Sequence, residues 1–234
     1  MAVYVTGDIH GSLQIHRLSH KAWPEGRELC RDDFVIILGD FGLLFYNNPT
    51  PDERYWLKWL NNKPWTTLFV DGNHENHTML NELPAISFMG GTAGKVSKNI
   101  YHLKRGEIYT LCEKKFFTFG GAVSIDKHLR IEGASWWREE VATYAEMDYG
   151  LGNLEKHQYN VDYILAHTAP MEIIQLYCLR CLNNMKIDIP DPTTGYLDQV
   201  CKTTSFEGFY CGHWHDDWSY GKYNILWNRI MRVI

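Results

Sequence analysis

Three features of this 234-residue chain predict an α/β fold. Buried strands alternate with helical segments up to Val70, short β-type runs take over from about Ile100 to Ala122, and strand and helix return after Tyr163. A β-α-β-α-β order implies parallel strands joined by right-handed crossovers. The later β-type runs imply a second sheet.

Val3 to Thr6 reads as the first strand, after which Ser12 is placed to cap a helix carrying Leu13, Ile15 and Leu18 on one side. Phe34 to Leu38 is a second strand, apolar at every position as a strand covered on both faces should be. Thr50-Pro51-Asp52-Glu53 supplies a capping box with Pro at the first helical position, and the helix that follows turns Trp56, Trp59 and Leu60 inward. Thr67 to Val70 is the third strand. Ile108 to Leu111 and Phe116 to Phe119 belong to the second sheet, with a turn at Cys112-Glu113-Lys114-Lys115. Ser124 to Gly152, rich in Trp, charge and Gly, fits no simple pattern and reads as a lid or rim. Tyr163 to Ala166 is a strand, Met171 to Leu182 a helix, Phe206 to Cys211 a strand, and Trp218 to Ile234 two or three antiparallel strands turning near Gly221.

Hydrophobic residues at 45% and charged residues at 22% exclude a disordered or collagen-like chain. No stretch approaches the roughly 18 apolar residues of a membrane span, and Met1 to Thr6 runs straight into Gly7-Asp8 without a secretory pattern. The expected location is the cytoplasm, with no membrane partner. A formal charge of −5 without a basic cluster argues against a long nucleic-acid duplex as partner. With no repeat or linker, residues 1–234 are expected to form one domain with a lid or rim insert at about 124–152. The six cysteines are read as reduced, and Cys178 and Cys181 as helix residues rather than half of a zinc site.

Chemistry-bearing groups occur in five clusters, each where an apolar strand ends: Asp8-Ile9-His10, Gly39-Asp40, Gly72-Asn73-His74-Glu75, His167, and Gly212-His213-Trp214-His215. In sheets built from β-α units, residues at the carboxyl ends of strands converge. Imidazole and carboxylate suit borderline transition ions. Leaving His74 aside, the clusters offer seven protein ligands, too many for one catalytic ion with an open position. If one carboxylate bridges, they divide into two sets of four, and two ions about 3.5 to 4 Å apart can hold both oxygens of a phosphoryl displacement. The adjoining Gly7, Gly39, Gly72 and Gly212 permit tight turns and close backbone approach. His16, His20, His77, His102, His128 and His157 lie outside any cluster and are read as surface or satisfied core residues.

Taken in order, the five clusters resemble the signature blocks of the calcineurin-like metallophosphoesterase superfamily and reach from Asp8 to His215. The resemblance implies a sandwich of two mixed β-sheets flanked by helices (α-β-β-α). It assigns Asp8, His10 and His215 to one metal, Asn73, His167 and His213 to the other, Asp40 to the bridge, and His74 to the substrate side as proton donor. The implied cofactors are two divalent transition-metal ions, Mn first, with Fe, Zn, Co or Ni as alternatives.

One departure narrows the function. In the phosphoprotein phosphatase branch the second block continues to an Asp-Arg pair, where this chain has Leu43 and Leu44, which can neither bind phosphate nor orient an imidazole. Arg130 and Arg138, beside Trp136 and Trp137, are candidate substrate contacts, because Arg binds phosphate bidentately and indole stacks on a base; surface charges over core tryptophans are the competing reading. Glu75 is either a supporting group behind the ligands or an acid at a helix N-terminus. The expected activity is hydrolysis of a phosphate ester by a metal-bridging hydroxide. The expected substrate is a phosphorylated small molecule or nucleotide-like compound, with a tilt towards diesters. A Ser/Thr phosphoprotein phosphatase and a non-catalytic interaction module on the same fold are the alternatives.

Overall fold

The computed structural model describes residues 1–182 and 191–234. In chain order its strands and α-helices are β1 (Val3–Thr6), β2 (Phe34–Leu38), α1 (Pro51–Asn61), β3 (Thr66–Val70), α2 (His77–Glu82), β4 (Ala85–Phe88), β5 (Gly91–Lys95), β6 (Ile100–Leu103), β7 (Ile108–Leu111) and β8 (Lys114–Phe119). They continue with α3 (Tyr144–Lys156), β9 (Tyr163–Ala166), α4 (Met171–Cys181), α5 (Pro192–Thr203), β10 (Gly208–Cys211), β11 (Trp218–Tyr220), β12 (Tyr223–Ile225) and β13 (Ile230–Arg232). Two mixed sheets result, ordered β13-β1-β2-β3-β6-β5-β4 and β11-β12-β10-β9-β8-β7. Strands β1, β2, β3 and β6 run parallel in the first, and β8, β9, β10 and β12 in the second.

The alternation of side chains along each strand builds four layers. Phe34, Ile36 and Leu38 face inward with Leu68 and Val70, where they meet Phe116, Leu165 and Tyr210 of the other sheet. Val35, Ile37 and Phe69 point outward, under Leu60 and Trp65. On the far side Phe117, Phe119, Ile164 and Phe209 pack beneath Met147, Ile174 and Leu197 of α3, α4 and α5. Strands covered on both faces carry no polar face, which is why β2 and β9 read as unbroken apolar runs. The result is the expected sandwich of two mixed sheets flanked by helices.

Several elements form as their sequences predict. At α1 the Thr50 side chain accepts from Glu53 N at 3.1 Å and the Glu53 carboxylate accepts from Thr50 N at 2.8 Å, completing the capping box. Trp56 and Trp59 pack only partly against the core, and Leu60 is buried. Cys178 and Cys181 lie in α4, and the cysteines are free thiols.

Other elements differ. Residues 11–18 form two 3₁₀ turns, not a helix capped by Ser12, because His10 adopts φ 43°, ψ 49° and Gln14 breaks the turn; Leu13 is consequently 73% exposed. The turn between β7 and β8 is only Cys112-Glu113, both at positive φ, so Lys114 already belongs to the strand. The β4–β5 hairpin turns at Met89-Gly90, also at positive φ, and extends the first sheet where no strand was expected. A second capping box, Thr143 with Glu146, starts α3 inside the stretch that reads from sequence as a lid or rim, and helix α5 begins at Pro192 after Asp191. Of the C-terminal strands, β11 and β12 turn around Gly221 as expected, but β13 crosses to pair with β1 of the other sheet. No helix among the described residues is long and apolar enough to cross a membrane.

A buried ion pair joins the loops after β3 and β6 at the end where the clusters lie. Arg105 donates from Nε to Asp71 Oδ2 at 2.8 Å, and its Nη2 reaches the carbonyl oxygens of Glu139 (2.9 Å) and Glu140 (3.2 Å). Burial alone would raise the Asp71 carboxyl; the Arg105 guanidinium and His102 imidazole outweigh it and hold the group well below the usual carboxylate range. Removing one partner strands the other charge in the interior, so Arg105→Met is expected to cost about 3 to 5 kcal/mol of stability. Urea unfolding measures this, and adding Asp71→Asn to the same chain should recover part of the loss.

Candidate metal centre

Each of the five clusters follows the carboxyl end of a strand: β1, β2 and β3 in the first sheet, β9 and β10 in the second. Four of the residues they deliver have left-handed backbone: His10 (φ 43°), Asp40 (φ 45°), His213 (φ 69°) and His215 (φ 48°). Such conformations cost of order 1 kcal/mol or more each and persist only where surrounding contacts fix them. Here the fixing contacts are visible. Ile9 N and His10 N both donate to Asp40 O (3.3 and 2.8 Å), Gly212 N donates to His167 O (2.9 Å), and His213 N donates to the Asp8 carboxylate (2.9 Å). Arg17, buried, donates to the carbonyl oxygens of Gly7 and Asp8 from behind, and burial lowers its pKa to about 10. Glu75 is fully buried and accepts from Phe41 N at 2.6 Å, which settles its position: it braces the second cluster from the third rather than solvating a helix end.

The side chains converge in two groups. In the first, single ligand atoms of Asp8, His10, Asp40 and His215 all lie within 4.8 Å of one another. His215 Nε2 is 3.1 Å from Asp8 Oδ2, His10 Nε2 is 3.7 Å from Asp40 Oδ2, and the two imidazole Nε2 atoms are 3.0 Å apart. Ring nitrogens at that distance repel unless a proton or a cation sits among them. In the second group Asn73 Oδ1 lies 2.9 Å from His167 Nε2 and 3.0 Å from His213 Nδ1, and His167 Nε2 is 3.5 Å from Asp40 Oδ1. His167 donates from Nδ1 to Leu38 O at 2.8 Å, which leaves the Nε2 lone pair pointing into the site. Asp40 is common to both groups. The donor set of carboxylate, carboxamide and imidazole fits borderline divalent ions.

Electrostatics follow from the crowding. Burial would raise Asp40, but His167, His74 and His10 outweigh it and bring its pKa down to about 2. Burial also opposes charge on His167, yet Asp40 and Asp8 raise its pKa above the ordinary value, whereas burial and the neighbouring His167 push His213 down to about 4.

The remaining candidates are distributed as follows. His74 donates its backbone N–H to Asp40 Oδ1 at 2.8 Å; its ring stands edge-on to that of His10, with centroids 5.4 Å apart, and its Nε2 lies 3.1 Å from Arg130 Nη2. Arg130 also donates to Asp126 at 2.7 Å, so it stands at the site. Arg138 is instead a surface residue paired with Glu132 at 2.5 Å. Trp137 is buried in an edge contact with Phe45 and presents no face for stacking. Leu43 and Leu44 are buried in the apolar cluster beneath the first sheet. His77 and His102 are buried, with His102 3.1 Å from Asp71.

Ser124 and Glu140 were not singled out from the sequence. Asn73 Nδ2 donates to Ser124 Oγ at 3.0 Å, and Ser124 donates to Glu140 from Oγ at 2.6 Å and from N at 2.8 Å. Their only sequence signal was position inside the stretch that fitted no pattern. Arg17 and Arg105 carried none, since isolated arginines read as surface charge.

Comparison with known proteins places these observations. A model of the calcineurin-like phosphoesterase family matches residues 1–171. A lariat debranching enzyme from Schizosaccharomyces pombe is 29% identical over 195 residues, covering 77% of this chain and 34% of that enzyme, so the chain spans about a third of this relative's length. A solved Staphylococcus aureus structure described as a 5'-nucleotidase in complex with alpha-ketoglutarate aligns with a TM-score of 0.49 at 14% identity, covering 97% of this chain and 48% of that one.

Two glycines make the convergence possible. A Cβ on Gly39, whose φ is +92°, would lie 2.0 Å from His167 Nδ1, and one on Gly72 would lie 2.1 Å from Asp40 Oδ1. Gly39→Ala combines a left-handed backbone with overpacking, so it is expected to cost roughly 2 to 4 kcal/mol and to displace His167. Thermal or urea unfolding together with metal retention checks this, and a stable variant with native metal content would contradict it.

Proposed function

The chain belongs to the calcineurin-like phosphoesterase family, and from that premise we propose that it is a phosphate ester hydrolase working with two divalent ions. The observation that carries the reading is the pair of four-donor groups sharing Asp40. Asp8, His10 and His215 would hold one ion, Asn73, His167 and His213 the other, and Asp40 would bridge. Mn is the first choice, because four imidazoles suit it better than Mg, which prefers oxygen ligands and water. When bound, the ions supply Lewis acidity for the phosphoryl oxygens and lower the pKa of water at neutral pH.

The chain's own contribution begins with His74. Burial lowers its pKa, and Arg130 and His10 add to that effect against the raising influence of Asp40. Arg130 donates to His74 Nε2 in the resting site, which keeps that nitrogen unprotonated. A phosphate is the stronger acceptor and would compete for the guanidinium, freeing Nε2. His74 is then able to hold a proton and deliver it to the leaving alkoxide.

For substrate class we favour a nucleotide-like ester, a diester before a monoester. Leu43 and Leu44 supply no anion clamp, so a substrate with less charge at phosphorus suits the site. A cleft of about 520 Å³ opens between His10 and His74 and is bordered by Leu13, Phe45, Tyr46 and Asp52, with no Lys or Arg among the described residues that line it. That lining accepts an uncharged, planar leaving group better than a further phosphate. Similarity to a lariat debranching enzyme points the same way.

Asp40→Asn is expected to lose both ions and all activity, because the Asp40 carboxylate reaches the imidazole Nε2 atoms of His10 in the first group and His167 in the second. Metal analysis alongside hydrolysis of a chromogenic diester decides it, with wild type giving two equivalents and turnover; a variant keeping two ions and a near-native rate would remove Asp40 from the bridge. His74→Ala should keep its metals and lose about 10² to 10⁴ in rate on an ester with a poor alkoxide leaving group, and far less on a nitrophenyl ester, whose leaving group needs no proton. Equal losses on the two esters would exclude His74 as proton donor.

A further inference from the structure

Asn73 differs from the other proposed ligands in that its amide can be turned either way. With Oδ1 inward it offers a lone pair to a cation; with Nδ2 inward it offers two N–H groups and repels one. What chooses between the two lies outside the motif blocks. Glu140 is fully buried, and its Oε1 accepts from Ser124 N at 2.8 Å while its Oε2 accepts from Ser124 Oγ at 2.6 Å. A carboxylate only accepts, so the Ser124 hydroxyl must spend its single proton on Glu140. Its oxygen is left with lone pairs towards Asn73, 3.0 Å away, and only Nδ2 of the amide can answer them. Oδ1 is thereby committed to the side of His167 Nε2 and His213 Nδ1.

The carboxylate is itself anchored. The main-chain oxygen of Glu140 accepts from Arg105, which is held by Asp71, two residues before Asn73. Gly121 N donates to Asp71 O at 2.9 Å, fastening the 120–124 segment along the same tripeptide. The contacts therefore close a ring, Asp71 to Arg105 to Glu140 to Ser124 to Asn73, that fixes both ends of residues 71–73.

We propose that Ser124 and Glu140 are positioning residues that set the orientation of the Asn73 carboxamide and so determine the affinity of the second metal position. The proposal rests on the two-ion reading above for its consequence, but the amide orientation itself exists without metal. It assigns a role to the Trp-rich stretch, which supplies Ser124 and Glu140 behind Asn73 and Arg130 beside His74.

The test uses the full chain, with Mn(II) as probe, and compares wild type with Ser124→Ala, Ser124→Thr and Glu140→Gln. Loss of such supporting contacts typically lowers metal affinity about 10- to 100-fold. Ser124→Ala and Glu140→Gln should bind the first equivalent as wild type does and the second that much more weakly, while Ser124→Thr, which keeps the hydroxyl, should restore it. Glu140→Gln preserves volume and the main-chain contact to Arg105, so it remains informative if Ser124→Ala fails to fold. In metal-free protein the Asn73 side-chain NH₂ should exchange slowly in wild type and quickly in Glu140→Gln. Two equivalents bound with wild-type affinity in both variants, or equal weakening of both equivalents, would overturn the proposal. A wild-type chain that binds only one equivalent would instead overturn the two-ion reading, and the Asn73 exchange comparison would still decide the positioning role.

Discussion

One buried carboxylate, Asp40, governs what surrounds it. It is 1% exposed at the point where the polar ends of both sheets meet, and an isolated charge there would cost several kcal/mol. Its compensation comes from His10 in its own sheet, from His167 across the sandwich, and from the backbone N–H of His74. These partners come from three different strand ends. The sandwich must therefore hold those ends in register, and the pKa of about 2 at Asp40 is the electrostatic consequence. On the two-ion reading proposed above, a pair of divalent cations would meet the same requirement more completely than imidazolium protons can.

Holding the ends in register has a mechanical cost, and the structure distributes it. Left-handed residues at His10, Asp40, His213 and His215 turn the chain sharply as it leaves each strand. Glycines stand where the next turn would otherwise collide with a ligand, as Gly39 does against His167. Rigid neighbours absorb the strain: Arg17 grips the carbonyl oxygens behind Asp8, and Glu75 grips the backbone after Asp40. Both sheets press against apolar helices on their outer faces, so the loops cannot relax without disturbing three packed layers. The side chains stand ready on a stiff frame, which is what a site acting through position and charge needs.

The segment from 124 to 140 completes the frame from the side. It has little regular structure, yet Ser124 and Glu140 face the second group and Arg130 faces His74. Trp137, buried against Phe45, pins it next to the second cluster's loop. An irregular segment of this kind is held by specific polar contacts instead of a hydrogen-bonded ladder, which makes it adaptable in sequence and exacting at a few positions. The exposed Ile125, Leu129 and Ile131 on its outer side are free of those demands.

What the sequence determined by itself follows from local chemistry and from burial on both faces of a strand. Runs such as Val35-Ile36-Ile37 admit little but a central strand, Thr50 with Glu53 fixes the start of α1, and a polar group directly after each apolar run must emerge at a strand end. Those signals place Asp8, His10, Asp40 and Asn73 at one end of the first sheet and His167, His213 and His215 at one end of the second, because parallel strands deliver their carboxyl ends to one edge; the packing of the two sheets brings the two sets together. Tertiary structure alone decided the rest. The left-handed His10 that turned an expected helix into 3₁₀ turns, the crossing of β13 to the other sheet, and the placing of Arg130 at the site and Arg138 on the surface all depend on neighbours remote in sequence. The same holds for the ring through Asp71, Arg105, Glu140, Ser124 and Asn73, since hydrogen bonds between residues 16 to 51 positions apart leave no periodicity and no spacing. Only when the chain is folded does a lone serine or arginine acquire the partner that defines it.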